Sequence, residues 1–158
     1  MVEDRIQDVK VENRRSKITQ TIESLVNSRE QMLVSFALLA GMPASETDSD
    51  PVAPQPKMLQ SFLQQLVDYL ALGHFEIYQR IKEGNERRGK ILEAATKYFP
   101  TLLETTDFLI EFNDKYDAFE VDHTDKEELD MLRKDLRQVG QALSKRADVE
   151  DLFLESLG

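Results

Sequence analysis

The chain has 158 residues, about one domain, and a domain of that size buries roughly 70% of its unfolded surface, so it needs no metal or disulfide to fold. Cysteine is absent, which excludes disulfide scaffolds, thiolate zinc sites, iron–sulfur clusters and cysteine nucleophiles, and fits a reducing cytoplasm. Thirty Asp and Glu against 20 Lys and Arg give a net charge of −10; phosphate backbones repel such a chain, and a basic partner is its natural counterpart.

The start, MVEDRIQDVKVENRR, is charged throughout and has no apolar core, so no signal peptide is read there. Val2, Ile6 and Val9 make a thin apolar stripe on a short, charged first helix. Next, Ile22, Leu25, Val26, Met32, Leu33, Phe36 and Leu39 follow the three-and-four rule up to Gly41, with Gly41 placed as the residue just past the helix and Pro43 blocking continuation. The apolar stretch from Met32 to Met42 is about half a membrane span and contains a serine and a glycine, so no transmembrane segment is expected.

Pro43, Pro51, Pro54 and Pro56 crowd into an acidic stretch at about 42–56, longer than a usual connection and expected to be mobile. It reads either as a spacer or as a partner-contacting arm. A strong helix follows from about Lys57 to Lys82, ended by Gly84-Asn85. A shorter helix around Lys90–Phe99 is expected to stop or kink at Pro100, and another carries Leu102, Leu103, Leu109, Ile110, Phe112 and Tyr116. Thr124-x-x-Glu127 and Asp125-x-x-Glu128 both resemble capping boxes opening a last long helix. There Leu129, Leu132, Leu136, Val139 and Leu143 form a coiled-coil-like seam. It is expected to fail at Arg146 and resume in a shifted register through Val149, Leu152 and Phe153. With no alternating segment, the fold class is all-α: one domain over 1–158, a helical bundle with a core of about four long helices plus shorter ones.

Charge is concentrated. Residues 104–130 hold eleven acids and two bases, a net −9 and almost the whole charge of the chain. That is either a solvated face or a landing site for a basic partner.

Catalytic chemistry finds no support. Glu120-x-x-His123 has the spacing of one half of a di-iron site, but His74 is preceded by Ala71 and no further histidine exists, so no metal site is read. Gly84 and Gly89 lack the spacing of a phosphate loop, and no serine sits in a nucleophile elbow. The expectation is a non-enzyme without cofactor.

The helix from Lys57 is the informative one. At about 100° per residue, Leu59, Leu66, Gly73 and Ile77 fall near Phe62, with Tyr69, Leu70 and Met58 alongside, as a core stripe requires. The opposite face carries Asp68, Ala71, Leu72 and Phe75 in one strip, with His74 and Tyr78 at the flank between the faces. An apolar strip away from the core is either an interface or a second buried side covered by a further helix. Wheel geometry leaves the two open.

The same helix carries a resemblance. Residues 66–81, LVDYLALGHFEIYQRI, closely resemble the LVDYL-x-x-GHF-x-[IV]-Y-E-[RK]-[IL] signature of the Rsd/AlgQ family of anti-sigma factors. Residues 29–41, the segments starting at Pro100 and Phe112, and the stretch from Leu136 through Leu152 are similar to other parts of that family. The chain departs at Gln79, where the family has Glu, and has no tryptophan before Arg29.

The resemblance implies a cytoplasmic transcription regulator of stationary phase whose partner is the primary sigma factor. It implies binding to region 4, a basic helix-turn-helix module, and sequestration of that module from the −35 promoter element and from core RNA polymerase. Neither nucleic acid, membrane nor small-molecule substrate enters. Carried onto this chain, the partner-binding residues are Asp68, Leu70, Ala71, Leu72 and Phe75, with His74 and Tyr78 in second place. The other reading is a general acidic interaction module docking on a different basic partner, such as a stress-response enzyme.

Overall fold

A computed structural model describes residues 2–41, 55–78 and 89–157, with side chains from residue 19 onward except those of 77, 90–92 and 157. The described residues form four α-helices and no strand, as expected: α1 (Val2–Leu39), α2 (Pro56–Leu72), α3 (Gly89–Ala118) and α4 (Lys126–Leu157). A π-helical turn, Gly73–Tyr78, continues α2. The proline-rich loop, apart from Gln55 and Pro56, the stripe Val2, Ile6 and Val9, the helix end at Gly84-Asn85 and the Gly84–Gly89 pair (save Gly89) lie outside the described residues or side chains.

Two expected short helices are absorbed into long ones. No glycine or proline interrupts residues 2–39, so nothing stops the first helix before Leu39. It ends where expected, with Gly41 at φ 71°, a left-handed conformation that glycine adopts without a Cβ penalty. At Pro100 the helix does not stop, because α3 runs through it. An internal proline removes one helical hydrogen bond and costs about 3 kcal/mol. Pro100 stands on the exposed side, where water can approach the backbone. The helix is held on both sides of it by buried Ala95, Leu102, Leu109, Phe112 and Tyr116.

α1 packs on α2 and α3 on α4, and α2 against α3 joins the two pairs. Phe36 of α1, Phe62 of α2 and Phe112 and Tyr116 of α3 form a continuous aromatic row, with centroid separations of 5.6, 6.1 and 4.8 Å. Around it the core stripe of α2 is buried as the wheel placed it, with Leu59, Phe62, Leu66, Tyr69 and Leu70 inside. At the start of α4, Asp125 is the cap: its Oδ1 accepts from the Glu127 and Glu128 N–H groups at 2.9 and 3.4 Å. Glu128 reaches past it to the Asp122 N–H at 2.9 Å.

The seam of α4 corrects the expected register shift. Leu132, Leu136, Val139, Leu143, Arg146, Glu150 and Phe153 are all buried and step by three and four without interruption. Arg146 and Glu150 occupy core positions instead of breaking the pattern, while Leu152 is half-exposed. A charge is tolerated there because each of the other described helices supplies partners.

Candidate partner-docking face

Those partners form one polar joint. Glu150 is fully buried and accepts from the Tyr69 hydroxyl of α2 at 2.6 Å and from the Tyr78 hydroxyl of the π turn. Its Oε1 also meets Arg29 Nη1 of α1 at 3.3 Å, and the same guanidinium reaches Asp151 at 2.7 Å. Arg146 lies one turn from Glu150, with Nε 3.8 Å from Oε2. It donates to the Tyr69 oxygen at 3.1 Å, and on α3 to the Leu102 carbonyl at 2.9 Å, Thr105 Oγ1 at 3.0 Å and Thr106 Oγ1 at 2.7 Å. Burial and the adjacent Glu150 carboxylate push the Tyr69 and Tyr78 hydroxyls well above the ordinary tyrosine range, so both remain protonated donors.

Above this joint stands the π turn. In such a turn the backbone bonds run i to i+5, so each residue advances by less than the α-helical step and the tail of the segment lags a straight wheel. Tyr78 is thereby carried from the flank into the core, where it is 6% exposed between Phe99 and Phe153, at 5.7 and 5.8 Å. Gly73 permits this. A Cβ at that position would lie 3.2 Å from Tyr78 Cε2 and 3.5 Å from Leu25 Cδ1.

The strip expected on the far side of α2 is open to solvent at its two ends, Asp68 and Phe75. Phe75 is 62% exposed, so no described helix covers it, and His74 stands edge-on to its ring at a centroid distance of 5.0 Å. Asp68 and His74 are exposed, Ala71 and Leu72 half-buried, and Val67, also exposed, adjoins Asp68. The face is therefore an aromatic knob on an apolar base with a carboxylate at its edge.

Two residues of the expected set are not on this surface. Leu70 is 4% exposed and belongs to the core stripe, where the wheel also put it; only the family resemblance had moved it to the interface. Tyr78 is buried for the reason just given. Sequence reasoning missed Arg29, Tyr69 and Glu150 as a connected group. The available signal was Arg146 at a seam position with Glu150 four residues on, the spacing at which helix side chains meet.

Elsewhere, Glu120 and His123 fall in the connection between α3 and α4, so their spacing does not place them on one helical face. Carboxylate oxygens of Asp122, Asp125 and Glu128 lie within 4.8 Å of one another, but each carboxylate already accepts a backbone hydrogen bond in the cap of α4. No described helix is long and apolar enough to cross a membrane.

The family described as "Regulator of RNA polymerase sigma(70) subunit, Rsd/AlgQ" matches residues 5–158. A protein of Yersinia enterocolitica named "Regulator of sigma D" is 30% identical over 137 residues, covering 86% of this chain and 79% of that protein. A "Regulator of sigma D" from Salmonella paratyphi A is 32% identical over 134 residues, covering 84% of this chain and 78% of its own length.

Proposed function

Since the chain belongs to the Rsd/AlgQ family of regulators of the RNA polymerase sigma(70) subunit, we propose that it is a non-enzymatic anti-sigma factor that binds region 4 of the primary sigma factor. Binding sequesters that basic module from the −35 element and from core polymerase, and it takes place in the cytoplasm, where polymerase works. One observation carries the reading: Phe75, 62% exposed, is an aromatic knob on the strip that the family resemblance marks for the partner. Exposed aromatics that enter a partner's pocket are the usual anchors of protein interfaces.

Asp68, Ala71, Leu72, Phe75 and His74 make the contacts; Leu70 and Tyr78 support them from beneath. Asp68 is suited to an arginine of the partner's recognition helix, because a carboxylate takes a guanidinium in two parallel hydrogen bonds. The acidic run from Glu104 to Asp130 steers the basic module toward the bundle.

Calorimetric titration of isolated region 4 into the full chain tests the reading. Saturable one-to-one binding that Phe75→Ala weakens is the expected result. Absence of binding to region 4, with binding retained by another segment of the sigma factor, would overturn it.

A further inference from the structure

We propose that Tyr78 and Glu150 are positioning residues for the docking face: the carboxylate on α4 clamps the end of the π turn and thereby sets where Phe75 projects. The proposal rests on the sigma-docking reading for its functional meaning. Its structural content stands on separate observations.

A π turn is rare and is less well bonded than an α-helix, so it persists where surrounding contacts over-determine it. Here both its ends are fixed. Gly73 is buried, and its missing side chain lets the Tyr78 ring lie over the backbone. Tyr78 is fixed in turn by its hydroxyl on Glu150 and by its ring against Phe99 and Phe153. Phe75 sits between the fixed ends, and its own ring is largely in solvent. If the segment relaxed to regular α-helix, Tyr78 would turn out of the core and the residues after Gly73 would rotate about the axis. Phe75 would turn with them, and the bearing that the clamped turn gives it relative to Asp68 and Leu72 would be lost.

The clamp is itself rigid. Glu150 is held by Tyr69 and Arg29, and Arg146 beside it is tied to three groups of α3. A buried ion pair returns little net stability compared with apolar residues of the same size, but it imposes one geometry. In this bundle the geometry imposed is that of the segment displaying the aromatic knob.

Tyr78→Phe removes the hydroxyl and keeps the ring, and Glu150 retains Tyr69, Arg29 and Arg146. Tyr69→Phe is the control: it also takes one buried hydroxyl from Glu150, but from outside the π turn. In the free full-length protein, Tyr78→Phe is expected to raise amide exchange at residues 74–77 about tenfold, the scale of one hydrogen bond to a charged acceptor, with Tyr69→Phe leaving those amides unchanged. Affinity for isolated region 4 is expected to fall by about tenfold in Tyr78→Phe, and by no more than about twofold in Tyr69→Phe. In a Phe75→Ala background Tyr78→Phe should have no further effect, because it acts through that ring.

Equal losses in the two Tyr→Phe variants, or full affinity in Tyr78→Phe while Phe75→Ala binds weakly, would overturn the positioning role and leave the docking reading intact. Unchanged affinity in Phe75→Ala would overturn the docking reading instead, and the exchange rates at 74–77 then decide by themselves whether Glu150 clamps the turn.

Discussion

Arg146 and Glu150 stand one turn apart on α4, both buried, with Nε 3.8 Å from Oε2, in two consecutive positions of a seam otherwise built from leucine, valine and phenylalanine. Through them every described helix meets: Arg29 of α1, Tyr69 of α2, Tyr78 of the π turn and Leu102, Thr105 and Thr106 of α3. The pair has a different physical character from the remainder of the core. Apolar contacts are tolerant of direction, whereas each hydrogen bond in this group fixes an angle as well as a distance.

Removing one member should therefore be costly. Arg146→Met keeps much of the side-chain volume but leaves Glu150 with less compensation and takes from Thr105 Oγ1 and Thr106 Oγ1 the donor they accept from, although both hydroxyls still donate to the Leu102 carbonyl. The expected loss is about 3–5 kcal/mol of folding free energy in urea titration. A loss below about 1 kcal/mol would show that the pair contributes nothing its surroundings cannot replace.

Phe75 and Phe62 should behave oppositely, being 62% and 0% exposed. Phe75→Ala is expected to change stability by less than about 0.5 kcal/mol and to weaken sigma binding by about 2 kcal/mol. Phe62→Ala should cost about 3–5 kcal/mol of stability through the cavity it leaves. Melting temperature and partner affinity measured together on both variants separate the roles. A collapsed melting temperature in Phe75→Ala would return that residue to the core. Asp68→Ala is the companion, with unchanged melting and weaker binding.

Alkaline pH should destabilise the fold. Burial and nearby carboxylates raise the Tyr69, Tyr78 and Tyr116 hydroxyls above their ordinary value near 10. Below that value both folded and unfolded chains hold these protons and the contribution is fully present. Above it the unfolded chain releases protons that the folded chain keeps, so stability falls as pH rises toward the folded values. Urea midpoints should be flat with respect to these groups up to about pH 9 and decline steeply beyond about pH 10, less steeply in Tyr69→Phe and Tyr78→Phe. Equal slopes in wild type and both variants would contradict the assignment.

Association with the basic partner should be faster at low salt. The acidic run from Glu104 to Asp130 attracts opposite charge over a Debye length of about 8 Å at physiological ionic strength, and salt shortens that range. Stopped-flow association rates should fall as salt rises, with dissociation changing less. A constant on-rate would remove the acidic run from the encounter.

The helical character of the chain, the core stripe from Leu59 to Tyr69 and the end of α1 at Gly41 were legible in the residues alone. Each depends on a local property: a side chain's direction advances by a fixed angle along a helix, so apolar spacing reports which side is buried. The 66–81 block carried the family in the same way, as a contiguous pattern. The fate of Arg146 and of Tyr78 was decided by tertiary structure. A charged residue in a seam reads as a break until the groups that satisfy it are known, and beyond Glu150 on the same helix these are hydrogen-bond acceptors from Tyr69 and Leu102, distant in the chain. The wide turn that buries Tyr78 likewise has its clamp in Glu150, 72 residues further on. Helical periodicity is set by neighbours along the chain; the burial of a charge and the widening of a turn are set by whatever the fold brings across from other helices.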